Sequence, residues 1–444
     1  MLNAVIIGSG ISGLCISALL KKKGLNPIIF EKNNQIGGSF TSISYRGYTL
    51  DTGLHLITRG KSGEFPKLLR EIFTKEVFSK YFTKQDDYIF HLNDKSSKFP
   101  KNLREFFNFK ILSPKSRFDL FRLIISILKI GRKNTDKNLK NISSYEFTKK
   151  YLKNKDLFFL CNALSWMSTG CSIKEGSLCR FADTIARDKT FSLSYLLNSI
   201  KKKSDALEGD FYPIGGLKKI PKLFESLNFE IHKNEEIKKI LIRNNKVSGI
   251  KTNKTQYKAD IVIYTGKVLE LKKIASEYKG KFPKNEEYKA ITLWLGLNKK
   301  IAYFGKNSHI IIKNDESSPL WFMDLTSFDS NLSPKGKQLI GISTILHKDK
   351  NLILKDMKQT AGKLMPDYKK YLEMEKVMID RAEKTLQTYN NPLWDLPEQR
   401  TNIKGLYLAG TDTKAFGSGG TMCAGSAYSC INFIEKDFKL LKSN

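Results

Sequence analysis

Apolar side chains set the rhythm of the chain from its first residues. Ala4-Val5-Ile6-Ile7 is a continuous, β-branched run and predicts a buried strand. The pattern then turns polar and glycine-rich through Gly8-Ser9-Gly10-Ile11-Ser12-Gly13. It becomes helical from Leu14 to Lys23, and Gly24 closes it. Pro27 to Phe30 is a second apolar run, ending at Glu31. Strand, turn, helix and strand fit one βαβ unit of about thirty residues. Strand-like alternation returns over 230–262, and again at 405–408, where it enters a glycine-rich turn and a helical pattern ending near Ile434. Between these lie long helical patterns over 101–135. Four apolar runs, Ile291–Leu297, His309–Ile312, Leu320–Leu325 and Leu339–Ser343, predict an antiparallel sheet.

Composition sharpens this picture. At 444 residues the chain exceeds one ordinary core, so two intertwined domains are expected. Hydrophobic residues make up 41% of it, as in a globular protein. Lys plus Arg number 76 against 44 acids, a net charge of +32. Such a charge suits nucleic acid, an anionic membrane surface or a merely Lys-rich composition. The lysines are spread along the whole chain and no nucleic-acid motif accompanies them, so no nucleic-acid partner is expected. The six cysteines form no CxxC pair and the histidines are scattered, so no metal is expected. No apolar run approaches the roughly 18–20 residues of a membrane-spanning helix. The N-terminus enters a strand at once, which argues against a signal peptide. The expectation is a cytoplasmic protein, at most peripheral on the inner face of a membrane.

The glycine-rich turn has specific physical uses. The first glycine makes the tight turn, the second lets backbone approach a pyrophosphate, and the third lets helix and strand pack closely. The helix N-terminus then offers free N–H groups and a positive dipole end to phosphates. Glu31 stands where a carboxylate would accept from ribose hydroxyls. The unit points to a dinucleotide, NAD or FAD.

Later segments favour FAD. Gly37-Gly38-Ser39-Phe40, a few residues past Glu31, resembles the FAD-binding signature of the amine-oxidase-like flavoproteins. Within them the chain looks closest to phytoene desaturases, carotenoid isomerases and retinol saturases, although those families usually carry Arg where this chain has Ser39. Tyr48-Thr49-Leu50-Asp51-Thr52-Gly53-Leu54-His55 resembles their "F-D-T-G-x-H" stretch, and Tyr212-Pro213-Ile214-Gly215-Gly216-Leu217 their "Y-P-x-G-G" stretch. Gly405 to Asp412 and Gly417 to Met422 resemble the closing strand, turn and helix; Thr411 interrupts the usual "A-G-D" order.

The resemblance implies an α/β fold. Its Rossmann-type FAD-binding domain would be assembled from discontinuous segments, 1–75, 206–275 and 395–444. An α+β substrate domain of antiparallel sheet plus helices would come from 76–205 and 276–394. It also implies FAD contacts from Gly8, Ser9, Gly10, Ile11, Ser12 and Gly13, from Glu31 and Lys32, and from Gly37, Gly38 and Ser39. Further contacts would come from Gly53, Leu54 and His55, from the Ile237 backbone at the adenine, and from Gly410, Thr411, Asp412, Gly420, Thr421 and Met422. His55 is the one candidate catalytic acid or base, weighed against a structural histidine; Asp51 reads as a brace for its loop. Trp294, Trp321 and Phe322 read as pocket walls or as ordinary core. The basic, apolar helical stretch within 101–135 would either lie in a membrane interface or be buried in the substrate domain.

The resulting expectation is an FAD-dependent oxidoreductase acting on C–C or C=C bonds of a prenyl or carotenoid-like lipid, by desaturation, saturation or isomerisation. The alternatives are a flavin amine oxidase acting on a soluble amine, and a non-catalytic basic module binding lipid or RNA on a vestigial FAD fold. Oligomeric state and electron partner stay open.

Overall fold

The computed structural model describes residues 2–58, 60, 63–74, 76–139, 141–186, 209–284, 288–383 and 386–439. The start of the middle FAD segment, expected at 206, lies outside them. The first layer is a five-stranded, all-parallel sheet. Its strand order is Leu406–Leu408, Ile261–Tyr264, Ala4–Ile7, Ile28–Phe30 and Glu230–His232. Strands from near the start, middle and end of the chain therefore share one sheet.

Successive side chains of a strand face opposite ways. Ala4, Ile6, Ile29, Ile261, Ile263 and Tyr407 pack on one face with the helices Ile11–Lys22 and Gly419–Phe438. Val5, Phe30, Val262, Tyr264, Leu406 and Leu408 pack on the other. There they meet a three-stranded antiparallel meander, Ile237–Arg243, Lys246–Thr252 and Gln256–Lys258. Burial on both faces explains why these strands read as unbroken apolar runs.

The second layer is a seven-stranded sheet. Its order is Leu372–Glu383, Tyr288–Leu297, Gln338–Ile345, Leu320–Asp324, Ser308–Ile312, Tyr88–Leu92 and Lys95–Lys98. The four expected strands are present, but the sheet is not wholly antiparallel. Ser308–Ile312 pairs in parallel with Tyr88–Leu92, because the latter hairpin arrives from a different part of the chain. The edge strand Leu372–Glu383 escaped the pattern reading. Its Leu-Glu-Met-Glu-Lys sequence favours helix by propensity, and charge is what an exposed sheet edge carries; pairing with Tyr288–Leu297 overrides the propensity.

The helical stretch within 101–135 becomes two helices, Leu103–Phe107 and Pro114–Asn138. Ser113 caps the second by accepting from the Ser116 N–H, and Pro114 suits its first turn. Leu120, Leu123 and Ile127 are buried with Leu157, Leu160 and Phe181. Phe107 and Phe118 stay 53% and 58% exposed. The stretch is thus partly core and partly apolar surface. Among the described residues no helix is long and apolar enough to cross a membrane.

Asp51 ties the segments together. It ends the hairpin Ser42–Tyr45/Tyr48–Asp51 and is fully buried. Its carboxylate accepts from Ser42 Oγ (2.6 Å), Tyr212 Oη (2.6 Å) and the Leu217 N–H (2.9 Å). Burial pushes its carboxyl pKa up, and these three donors pull against that rise. Gly216 carries no side chain because a Cβ there would stand 2.8 Å from Asp51 Oδ1. On the same hairpin, Tyr48 donates to Glu373 on the edge strand (2.7 Å), joining it to the second sheet.

Asp51→Ala leaves three buried donors unsatisfied and should cost roughly 3 kcal/mol of stability, whereas Asp51→Asn should cost about 1 kcal/mol. Urea unfolding of both variants checks this; equal, small losses would show that Asp51 is not the tie.

Candidate active site

The turn from Gly8 to Gly13 lies between the strand Ala4–Ile7 and the helix Ile11–Lys22. Gly8 has φ of +101°, a conformation costly to residues with a Cβ, and Thr265 Oγ1 donates to the Ile7 carbonyl (2.8 Å) with the Gly8 carbonyl 3.2 Å away. A Cβ on Gly13 would stand 2.0 Å from the Gly8 oxygen, so helix and turn touch backbone to backbone. A Cβ on Gly10 would meet nothing within 4 Å. The first glycine turns, the third packs, and the second opens onto space. Gly10 begins the helix without a side-chain cap, which suits N–H groups reserved for a phosphate. Gly37 donates to the Ser9 carbonyl (2.9 Å), and Gly38 packs against Gly10, so the second glycine pair lies on the first turn.

Glu31 is more engaged than its ribose role implied. Its Oε2 accepts from the Ser9 N–H (3.0 Å) and Oγ (2.7 Å), and its Oε1 from the Asn33 N–H (2.9 Å). Three of about four acceptor positions are filled. Glu31 therefore also braces the turn, and a ribose hydroxyl would use the remaining position or displace Ser9 Oγ. Beside it, Phe30 packs against His232 and Tyr257, with Ile237 buried in the same core. Partial burial opposes protonation of His232, but the carboxylates of Glu230 and Glu235 outweigh it and hold its pKa above the ordinary imidazole value.

The closing segment is held from several sides. Gly410 donates to Ser426 Oγ (3.0 Å), and Asp183 accepts from the Gly417 N–H (3.0 Å). Asp412 is buried and accepts from the Val268 N–H (2.6 Å), an internal contact beyond the FAD contact that the resemblance implies for it. Met422 is core, packed with Leu393, Leu396 and Ala415 and 3.8 Å from Arg180 Nη1.

Gly53, Leu54, His55, Gly420 and Thr421 come together around a cavity of about 280 Å³. Its floor is one face of the seven-stranded sheet, carrying Ala290, Ser343, Ile345, Trp321 and Ile310. Trp166 and Met167 wall it from the helix Lys155–Thr169. Gly53 has φ of +82° and sits over Thr292, whose Oγ1 would be 3.9 Å from a Cβ there. His55 packs near Phe40, and its buried Nδ1 has no hydrogen-bond partner. Burial pushes the imidazole pKa down and outweighs the nearby Gly53 backbone, which favours the charged ring, so the ring is neutral at pH 7.

Of the three aromatics considered as walls, Trp321 lines the cavity while Trp294 and Phe322 are fully buried core. Lys32 and Ser39 are exposed near the glycine pair. Sequence reasoning missed Asp380, a carboxylate on the edge strand that lines the cavity. Only the pairing of that strand would have revealed it.

The family model for flavin containing amine oxidoreductases matches residues 11–428. A 1-hydroxycarotenoid 3,4-desaturase from Flavobacterium sp. (strain P99-3) is 29% identical over 288 residues, 59% of this chain and 56% of that protein. The match thus spans little more than half of the relative's length. An oxidoreductase structure from Methanosarcina mazei superimposes with a TM-score of 0.69 at 19% identity, covering 98% of this chain and 100% of the other. Putrescine oxidase bound to putrescine superimposes with a TM-score of 0.68 at 12% identity, covering 99% of both chains. At such identities the two structures establish the fold and leave the reaction open.

The open space at Gly10 and the closed space at Gly13 separate two effects. Gly10→Ala should fold with stability within about 1 kcal/mol of the parent yet bind FAD at least about tenfold more weakly, because its methyl fills the pyrophosphate's approach. Gly13→Ala should lose about 3 kcal/mol of stability through overpacking. Fluorescence titration of the apoproteins with FAD, beside urea unfolding, reads both. Unchanged affinity in Gly10→Ala would remove the pyrophosphate from this turn.

Proposed function

The chain belongs to the flavin containing amine oxidoreductases, a family of FAD-dependent oxidoreductases, and on that premise we propose that it acts on carbon–carbon bonds of an isoprenoid or carotenoid-like lipid. The observation that carries this reading is the cavity between Gly53–His55 and Gly420–Thr421. Its lining is mostly apolar, and it opens beside the two segments that the resemblance assigns to the flavin. The similarity to a protein named as a hydroxycarotenoid desaturase supports the same substrate class. A cavity of about 280 Å³ is at the small end for ligand sites, so it would take one end of a long chain.

Bound FAD would supply the two-electron chemistry, drawing hydride from carbon or returning it. The protein's own residues would do the rest. The glycine turn and the helix at Ile11 would hold the pyrophosphate, and Glu31 the ribose. Leu54, Trp166, Trp321 and Ile310 would orient the chain and exclude water. His55, neutral and with an unused ring nitrogen, would take the proton from the neighbouring carbon in a desaturation, and in a saturation would have to be protonated before returning one.

Peripheral contact with an anionic membrane at the cytoplasmic face belongs to this reading. Exposed Phe107 and Phe118 stand with Phe121 and Arg122 on the basic helical stretch, where they would meet lipid. Oxidation of a soluble amine is the second reading, favoured by the fold likeness to putrescine oxidase.

Mixing the flavin-loaded protein without air with prenyl lipids, amines or NADPH distinguishes these. A prenyl substrate to be oxidised should bleach the flavin; a saturase should instead be bleached by NADPH and recover its colour on adding a prenyl lipid. Bleaching by an amine alone would replace the lipid reading with the amine one.

A further inference from the structure

Most polar groups around the cavity already have partners. Ser343 Oγ pairs with Thr292 Oγ1 (2.9 Å) and the Ile291 carbonyl (3.3 Å). Thr344 Oγ1 donates to Ser318 Oγ (2.9 Å) or the Pro319 carbonyl (2.7 Å). Three cavity residues differ, with buried atoms that have no hydrogen-bond partner: His55 through Nδ1, Trp321 through Nε1 and Asp380 through Oδ2, and of these Asp380 alone carries a carboxylate acceptor. An unpaired buried carboxylate oxygen is costly and calls for a donor. Burial also pushes the Asp380 carboxyl pKa up.

Register fixes where this oxygen lies. Asp380 pairs with Ala290, and Thr292, two residues along the same strand, shares that face. Gly53 sits over Thr292. One strand across and two residues along is on the order of 8 Å. Asp380 thus stands a few carbon–carbon bonds from the place the resemblance gives to the flavin ring.

We propose that Asp380 is the polar anchor of the cavity and accepts a hydrogen bond from the hydroxyl of an otherwise apolar substrate. This rests on the lipid reading above for the apolar part, while the hydroxyl comes from Asp380 alone. A hydroxyl fits better than an ammonium group because it loses less hydration on entering the mostly apolar lining of the cavity.

Calorimetric titration of the flavin-loaded protein tests this with two matched pairs, farnesol against farnesyl methyl ether and decan-1-ol against decyl methyl ether. Each ether keeps the chain and the oxygen but lacks the donor. In both pairs the alcohol should bind roughly tenfold tighter, about 1.4 kcal/mol. Asp380→Leu should erase that preference without weakening the ethers, and Asp380→Asn, which keeps a neutral acceptor, should retain part of it. Unchanged flavin content confirms that the variants are folded. An alcohol preference absent from the parent, or surviving in Asp380→Leu, overturns the proposal, as does farnesylamine binding far tighter than farnesol. An alcohol preference in both pairs, with decyl ligands binding as well as farnesyl ones, supports Asp380 and counts against the prenyl reading alone.

Discussion

Gly13 lies so close to the Gly8 carbonyl that a methyl group there would stand 2.0 Å from its oxygen, and the cofactor site depends on this contact. It lets the helix Ile11–Lys22 start directly on the turn, so that its first N–H groups face the space beside Gly10. The same turn is gripped from below by Thr265, from the side by Glu31 through Ser9, and from above by Gly37 and Gly38. Each grip comes from a different stretch of chain. The parallel sheet brings those stretches into register, with the last strand, Leu406–Leu408, beside Ile261–Tyr264. Glycines in such positions lose more conformational freedom on folding than other residues. Here the close approach they permit offsets that cost.

The parts that were legible in the sequence are those where local chemistry determines structure. The βαβ unit shows as an apolar run, a glycine turn and an acid, because a parallel strand buried on both faces must be apolar throughout. Asp51 was legible as a brace because a carboxylate between two strand-like runs has few other uses, and it does hold Ser42, Tyr212 and Leu217. What stayed hidden depends on pairing between distant segments. The edge strand Leu372–Glu383 has the composition of a helix and is a strand only because Tyr288–Leu297 offers it a partner. Asp380 sits on that strand, so the cavity's unpaired carboxylate was hidden with it. The parallel docking of Tyr88–Leu92 on Ser308–Ile312 crosses more than two hundred residues and leaves no local mark. Trp294 and Trp321 carry the same side chain on two strands of one sheet, with Gln338–Ile345 between them, yet one is core and the other cavity wall.

The site divides its work between two kinds of surface. The glycine turn, Glu31 and the helix start form a polar, backbone-built cradle suited to phosphates and ribose. The cavity beyond Gly53 is built from side chains of the second sheet and is mostly apolar. His55 and Asp380 are partly buried polar residues in that apolar space, and the buried Nδ1 of one and Oδ2 of the other are unsatisfied. Protein interiors rarely leave such atoms without partners, and a substrate with matching groups would satisfy them.

The central claim is that both ends of the chain assemble one FAD site, and the absorption spectrum of the purified protein tests it most directly. The account predicts a yellow protein that releases FAD in stoichiometric amount on heat denaturation. A correctly folded but colourless protein that neither releases a flavin nor takes up added FAD would contradict it.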